Sequence, residues 1–219
     1  MNKTSAVCGL LSVVFYVLEN AMIVAQGAGA PQSTAMPHVI RSYFVSHRAG
    51  IFEEIGLDAI YNVLLLLFFA GLWLALNRRD GGKELKWRRE TIWAGAAYLA
   101  ITLASYLPDT VLTQSNQLSE AQVAAFWGVD LVLSAAATFP LALMLIAFAS
   151  DQWRARYGTS WQSRWGIVGG ICLLIGETSF LITDPNTAAE VATATLSGGI
   201  SMAVWVIALS LTMLRETPD

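Results

Sequence analysis

The chain has 219 residues, of which 55% are hydrophobic and only 13% are charged, and its mean hydropathy is +0.54. A soluble protein of this size could not bury that much apolar surface, whereas long uncharged runs separated by short charged ones are typical of a polytopic membrane protein. The composition excludes a disordered protein, a collagen, a disulfide scaffold and a nucleic-acid-binding protein with a basic face.

Six apolar segments are long enough to cross a hydrocarbon core, which takes about 20 residues in a helix. Backbone groups find no water to bond in lipid, and no segment alternates as a barrel strand does, so the spans are predicted to be helices. The predicted fold is all-α, a single domain over 1–219 that forms a bundle of six transmembrane helices. In chain order the predicted spans cover about 5–26, 57–76, 92–107, 125–149, 165–182 and 193–214.

The basic residues predict the orientation of these spans. Of the 13 Lys and Arg, 11 lie near the termini or in the loops that follow spans two and four, and only Arg41 and Arg48 lie on the opposite side. The positive-inside rule therefore places both termini in the cytoplasm, and we expect a bacterial plasma (inner) membrane. With this orientation, the residues on the cytoplasmic side carry a net charge of +5, and those in the outer half and the external loops carry a net charge of −8.

One external connection is long, over residues 27–56. Pro37 could begin a short helix there, because Val39, Ile40, Tyr43 and Phe44 would then share one face. Such a helix is predicted to lie in the outer interface, where it would act either as a lid or simply as a connection between two spans.

Carboxylates in the outer half of the spans are the most informative feature. Glu19, Asp130 and Glu177 lie on three different spans at one level, roughly 8–12 Å beneath the outer surface. An acid at that depth normally faces the bundle interior or a wet cavity, and no Lys or Arg lies at the same depth. Glu19 could instead be a hydrogen-bond partner between helices, and Asp130 could be a helix-start residue stabilised by the helix dipole. Glu53, Glu54 and Asp58 lie closer to the surface, where they could be solvated or pair with Arg48.

Polar and aromatic residues accompany these acids. Asn20 follows Glu19, Asn62 lies one turn after Asp58, and aromatic rings could stack on an apolar or cationic ligand. No catalytic residue is assigned. The predicted ligand-binding residues are Glu19, Asn20, Asp58, Asn62, Asp130, Glu177, Tyr16, Tyr61, Trp127 and Phe180.

No metal or cofactor is predicted. His38 and His47 are nine residues apart, and neither His-x-x-x-His nor Cys-x-x-Cys is present. No Lys lies within a span, which excludes a retinal Schiff base. A divalent-ion site built from Glu19, Asp130 and Glu177 remains an alternative.

Several stretches resemble a family of uncharacterised six-helix bacterial membrane proteins. They are residues 40–48 before span two, residues 64–76 with their Phe-Phe-Ala-Gly run, residues 139–143 in span four and Trp165-Gly166 at the start of span five. The resemblance covers most of the chain and implies the six-span fold, without an activity or site residues. In size and buried acids the chain is also similar to integral-membrane terpene cyclases, which protonate an isoprenoid. Their Asn-x-x-Trp-Glu arrangement is absent, since Glu19 follows Leu18 and precedes Asn20.

The sequence therefore favours a plasma-membrane protein whose outward-facing, acidic and aromatic-lined cavity binds or transports a small amphiphilic or cationic ligand. The first alternative is a membrane-embedded enzyme that uses a protonated carboxylic acid on a lipid or isoprenoid. The second is an accessory subunit of a membrane complex. The expected partners are membrane lipid and the small ligand, with no nucleic acid; the sequence does not indicate an oligomeric state.

Overall fold

The computed structural model describes residues 3–25, 31, 34–79, 86–178 and 185–215. Over these residues the chain forms seven α-helices and a short 3-10 turn at Ser115–Gln117, and it contains no strand. The helices are α1 Lys3–Ala25, α2 Pro37–Ser46, α3 Arg48–Arg79, α4 Lys86–Leu112, α5 Glu120–Arg154, α6 Ser160–Gly176 and α7 Pro185–Arg215.

Among the described residues, five helices are long and apolar enough to cross a membrane, which indicates a membrane location. They are α1, α3, α4, α5 and α7, with candidate spans Lys3–Met22, Arg48–Arg79, Glu90–Leu112, Glu120–Arg154 and Thr193–Arg215. The prediction of an all-helical, multi-pass chain is confirmed at this level. Helix α6 has 17 residues and is not one of these five, so the fifth predicted span, at 165–182, stays a prediction, and residues 179–182 of that span lie outside the described residues.

Local sequence signals explain where two of the helices begin. Pro37 occupies the first turn of α2, where its missing N–H costs nothing. At the start of α5, the Ser119 backbone N–H donates to the Gln122 Oε1 over 2.9 Å, and the Gln122 backbone N–H donates to the Ser119 Oγ over 3.3 Å. This capping box satisfies backbone donors that have no partner within the helix.

The six long helices pack side by side as a ring, in the order α3, α1, α7, α6, α5, α4. The ring closes between α3 and α4, whose described residues make the sparsest contact of any neighbouring pair. Helix α2 packs against α5, α4 and α3 at one end of the ring, which we call the α2 end. The opposite end carries Arg79, Arg154 and Arg215 at the last turns of α3, α5 and α7, and we call it the basic end.

Glycines allow α5, α6 and α7 to approach closely. A Cβ added at Gly170 of α6 would lie 2.8 Å from the Ala142 carbonyl oxygen of α5. A Cβ added at Gly198 of α7 would lie 2.8 Å from the Leu173 backbone nitrogen of α6. Close backbone approach at small residues is the main source of packing between helices in lipid, so these three helices form the tight side of the ring.

Large side chains fill the ring towards the basic end. Phe69 stacks on Phe148 with the ring centroids 5.1 Å apart, and both Phe68 and Trp205 are fully buried. The Trp205 Nε1–H donates to the Gln152 Oε1 over 2.9 Å, which pairs a polar group that the core completely encloses. These large side chains therefore fill the core of the ring on this side.

Candidate ligand-binding site

A cavity of about 270 Å³ lies at the α2 end and is named the vestibule here. Its carboxylates come from four helices, because α1 supplies Glu19, α3 supplies Glu54 and Asp58, α4 supplies Asp109, and α5 supplies Asp130. No Lys, Arg or His is found among the described residues that line it. The other lining residues are Tyr43, Phe44, Ile51, Ile55, Ser105, Tyr106, Trp127 and Ser134.

A second cavity of about 240 Å³, named the chamber, adjoins the vestibule on the side of the basic end. Asp58, Ser105 and Ser134 line both cavities and mark the boundary between them. All six long helices contribute to the chamber, which therefore lies at the centre of the ring. Its remaining lining residues are Tyr16, Tyr61, Tyr98, Thr102, Ala137, Thr138, Leu141, Leu173, Thr195, Gly199 and Met202.

Asp58 is held at this boundary by a hydrogen-bond network that joins α3 to α4. The Tyr106 hydroxyl donates to the Asp58 Oδ2 over 2.7 Å, and the Asn62 Nδ2 donates to the Asp58 Oδ1 over 2.9 Å. The Tyr98 hydroxyl in turn donates to the Asn62 Oδ1. Both carboxylate oxygens of Asp58 thus accept hydrogen bonds from fixed side chains, so the group is positioned before any ligand arrives.

The chamber wall is aromatic. The rings of Tyr16 and Tyr61 lie with their centroids 5.6 Å apart, and Tyr61 and Tyr98 are both buried. The Tyr16 hydroxyl packs so closely against α7 that a Cβ on Gly199 would overlap with it. The Thr102 side chain is buried and lines the chamber beside these rings. Electron-rich ring faces next to a carboxylate suit a cationic group.

Helix α2 forms part of the vestibule wall. Its Phe44 ring meets Trp127 of α5 edge to face with the centroids 5.9 Å apart, and the Arg41 Nη2 donates to the Leu118 carbonyl oxygen over 2.7 Å. Burial raises the pKa of the neighbouring Tyr43 hydroxyl, and the negative charges of Glu54 and Asp109 raise it further. Tyr43 is therefore a neutral hydrogen-bond donor at the vestibule across the physiological pH range.

The size and charge of the two cavities define what they can hold. Carboxylates on four helices, without a basic residue in the described lining, give the vestibule a negative potential. The volume of each cavity is close to the lower limit for small-molecule pockets. Within the part of the chain that the structure describes, no three His, Cys, Asp or Glu side chains are grouped so that they could hold one metal ion.

The structure brings most of the predicted site residues together. Glu19, Trp127 and Asp130 line the vestibule, Tyr16 and Tyr61 line the chamber, and Asp58 lines both. Asn62 belongs to the same network through its bonds to Asp58 and Tyr98.

Three of the predicted ligand-binding residues are not among the described residues that line either cavity or form the Asp58 network. The Asn20 side chain is exposed and donates to the Tyr16 carbonyl oxygen over 2.8 Å, without lining either cavity. Glu177 follows the last residue of α6 and interacts with Thr138, which lines the chamber, but Glu177 itself is not a lining residue. Phe180 lies outside the described residues.

Other residues of the site were not among those predicted from the sequence. Tyr98, Thr102, Ser105 and Asp109 follow one another along α4 at spacings of three or four residues, with Tyr106 beside Ser105. A polar stripe at this spacing in an apolar span marks the helix face that turns away from lipid. This periodicity was the available signal, and it is visible only when Ser, Thr and Tyr are counted together with the charged residues.

Comparisons with models of known protein families, with curated proteins and with solved structures gave no match. The resemblance to a six-helix bacterial family therefore remains a prediction from the sequence.

Proposed function

We propose that the protein is a six-span protein of the bacterial plasma membrane whose vestibule and chamber bind a small organic cation, to hold it or to transport it. The observation that carries this proposal is the composition of the two cavities. Glu19, Glu54, Asp58, Asp109 and Asp130 line the vestibule without a basic residue in the described lining, and Asp58 connects it to an aromatic chamber.

The packing of the ring supports a sixth crossing. Helix α6 lies between α5 and α7, both of which are candidate membrane spans, and Gly170 and Leu173 of α6 contact them at backbone distance. A helix enclosed in this way between two spans lies at the same depth as they do. With six crossings, both termini lie on one side, and the arginines at the basic end favour the cytoplasm. The vestibule then opens outwards.

The proposed ligand carries a positive charge that is surrounded by apolar groups. Carboxylates attract such a charge through Coulomb forces, which are several times stronger near protein than in bulk water. The faces of Tyr16, Tyr61 and Tyr98 can enclose the apolar groups and interact with the charge at the same time. A methylated ammonium group combines both properties.

Binding of choline to the purified protein in lipid nanodiscs tests the proposal, with its neutral isostere 3,3-dimethyl-1-butanol as the matched ligand. We expect choline to bind and the isostere to bind at least about tenfold more weakly, because only choline gains the Coulomb energy of the vestibule. Isothermal titration calorimetry measures both affinities.

Adjacent acids on α3 provide a matched pair of variants. Glu54 lines the vestibule, whereas Glu53 is exposed and lines neither cavity. We expect Glu54→Gln to weaken choline binding about tenfold and Glu53→Gln to leave it within about twofold. Equal affinities for the native protein and for Glu54→Gln and Asp58→Asn variants would contradict a cation site. They would leave acid catalysis on a lipid or isoprenoid, or a packing role in a complex, as the function to test next.

A further inference from the structure

An apolar groove of about 380 Å³ runs along the seam between α3 and α4, on the basic-end side of the chamber. Helix α5 forms its floor with Met144 and Phe148, and Thr91 is the one polar residue besides Trp73 in its described lining. The other lining residues are Leu66, Phe69, Ala70, Ile92, Gly95, Ala96 and Leu99. This seam is also the place where the ring closes with the sparsest contact.

The groove continues the chamber along the same helices. On α4, the chamber residues Tyr98 and Thr102 lie one turn beyond the groove residues Gly95 and Leu99. On α5, Leu141 of the chamber lies one turn before Met144 of the groove. Residues one turn apart on a helix face the same side, so the two spaces follow one line along the seam.

The groove is open to the surroundings of the bundle rather than enclosed by it. Ile92 is 52% exposed, and Ala70 and Ala96 on the facing walls are also exposed. These residues belong to candidate membrane spans, so the medium at this depth is lipid. A hydrocarbon chain can therefore enter the seam sideways from the bilayer.

We propose that this groove receives the hydrocarbon tail of the ligand whose cationic group binds at Asp58, so that the ligand is a single-chain cationic amphiphile that enters from the bilayer. The proposal rests on the proposed function, because the position of the charge fixes where the tail begins. The arrangement is complementary to such a molecule: carboxylates and ring faces lie at the α2 end, and an almost wholly apolar groove continues from them along the seam.

Chain-length dependence tests the assignment. Butyltrimethylammonium and octyltrimethylammonium carry the same charged group and differ only in the tail. In nanodiscs, with the titration into empty nanodiscs subtracted, we expect the octyl compound to bind at least about tenfold more tightly than the butyl compound, because each methylene group transferred from water to the groove contributes roughly a fourfold gain. Isothermal titration calorimetry gives the ratio of the two dissociation constants.

Two neighbouring alanines on α4 supply the variant and its control. Ala96 lines the groove, whereas Ala97 is also exposed but does not line it. Ala96→Phe places a ring in the groove and is expected to reduce the octyl-to-butyl ratio below about threefold while choline binding stays within about twofold. Ala97→Phe is expected to keep the native ratio. Ala70→Phe, from the facing wall, repeats the test should Ala96→Phe fail to fold.

The outcomes separate the two proposals. The tail site would be overturned if the native protein bound the octyl compound less than about threefold more tightly than the butyl compound. It would also be overturned if this octyl-to-butyl ratio were the same in the Ala96→Phe, Ala70→Phe and Ala97→Phe proteins. Either result would leave the cation site in place. Failure of the cation site appears in a different measurement, as choline binding that does not respond to Glu54→Gln. A reduced ratio in both groove variants, with choline binding retained, supports the amphiphile assignment.

Discussion

Tyr106→Phe is expected to lower stability and to strengthen cation binding at the same time. The substitution keeps the ring and removes only the hydroxyl, which donates to the Asp58 Oδ2 over 2.7 Å. Asp58 keeps its bond from the Asn62 Nδ2 at 2.9 Å but loses a donor that connects α4 to α3. The two helices are held together less well, while the carboxylate has more negative charge available to a ligand.

The size of the stability effect follows from the type of bond. A hydrogen bond to a charged group contributes about 1.5–3 kcal/mol in soluble proteins, and interhelical bonds in membranes contribute about 0.6–1.7 kcal/mol. We therefore expect a loss of about 1–2 kcal/mol. For a chain of this length that corresponds to a decrease of roughly 2–8 °C in Tm. Choline affinity is expected to rise by roughly twofold to fivefold, since a donor that competed for the Asp58 oxygen is gone.

Thermal unfolding in nanodiscs, with and without choline, measures both effects on one sample. Tyr43→Phe is the matched control, because Tyr43 also lines the vestibule but its hydroxyl makes no hydrogen bond with the described residues. The control should unfold at the native temperature. An unchanged Tm for Tyr106→Phe would refute the reasoning about the network, and a lower choline affinity would refute the reasoning about the Asp58 charge.

Four further predictions concern packing and orientation. Gly199→Ala is expected to destabilise the protein by about 1–3 kcal/mol, because the added Cβ overlaps with the Tyr16 hydroxyl. Adding Tyr16→Phe to the same chain should restore most of this loss. Denaturation of the single and double variants measures both free energies of unfolding. Gly128→Ala, where a Cβ meets nothing within 4 Å, should be neutral or slightly stabilising. Trp205→Phe is expected to cost about 1–3 kcal/mol, because it leaves the fully buried Gln152 without its donor; an unfolding temperature like that of the native protein would contradict this. Fusion of green fluorescent protein after the last residue should give fluorescent bacterial cells, and fusion of alkaline phosphatase there should give an inactive enzyme; the reverse pattern would place the C-terminus outside.

Composition and hydropathy were sufficient to predict the helical, multi-pass character of the chain. Lipid leaves helices as the way to pair the backbone in these long apolar segments, so the type of element follows from the length of each segment. The sequence also singled out Glu19, Asp130 and Glu177, since carboxylates are costly in a membrane unless they face an enclosed space. In the structure Glu19 and Asp130 line the vestibule together with Glu54, Asp58 and Asp109, whereas Glu177 lines neither cavity.

Which residues meet was decided by the tertiary structure. Nothing in the order of the chain indicates that α6 lies between α5 and α7, that α3 and α4 close the ring, or that Tyr106 and Asn62 meet on Asp58. A soluble helix reveals its inward face through the contrast between apolar and polar residues, but a helix surrounded by lipid is apolar on nearly every side. Its rotation is then set by close contacts at small residues and by a few polar pairs between helices. The amino-acid sequence determined that this protein is a bundle of membrane helices with acids inside one half, and helix packing determined that those acids form a single cavity next to an aromatic chamber.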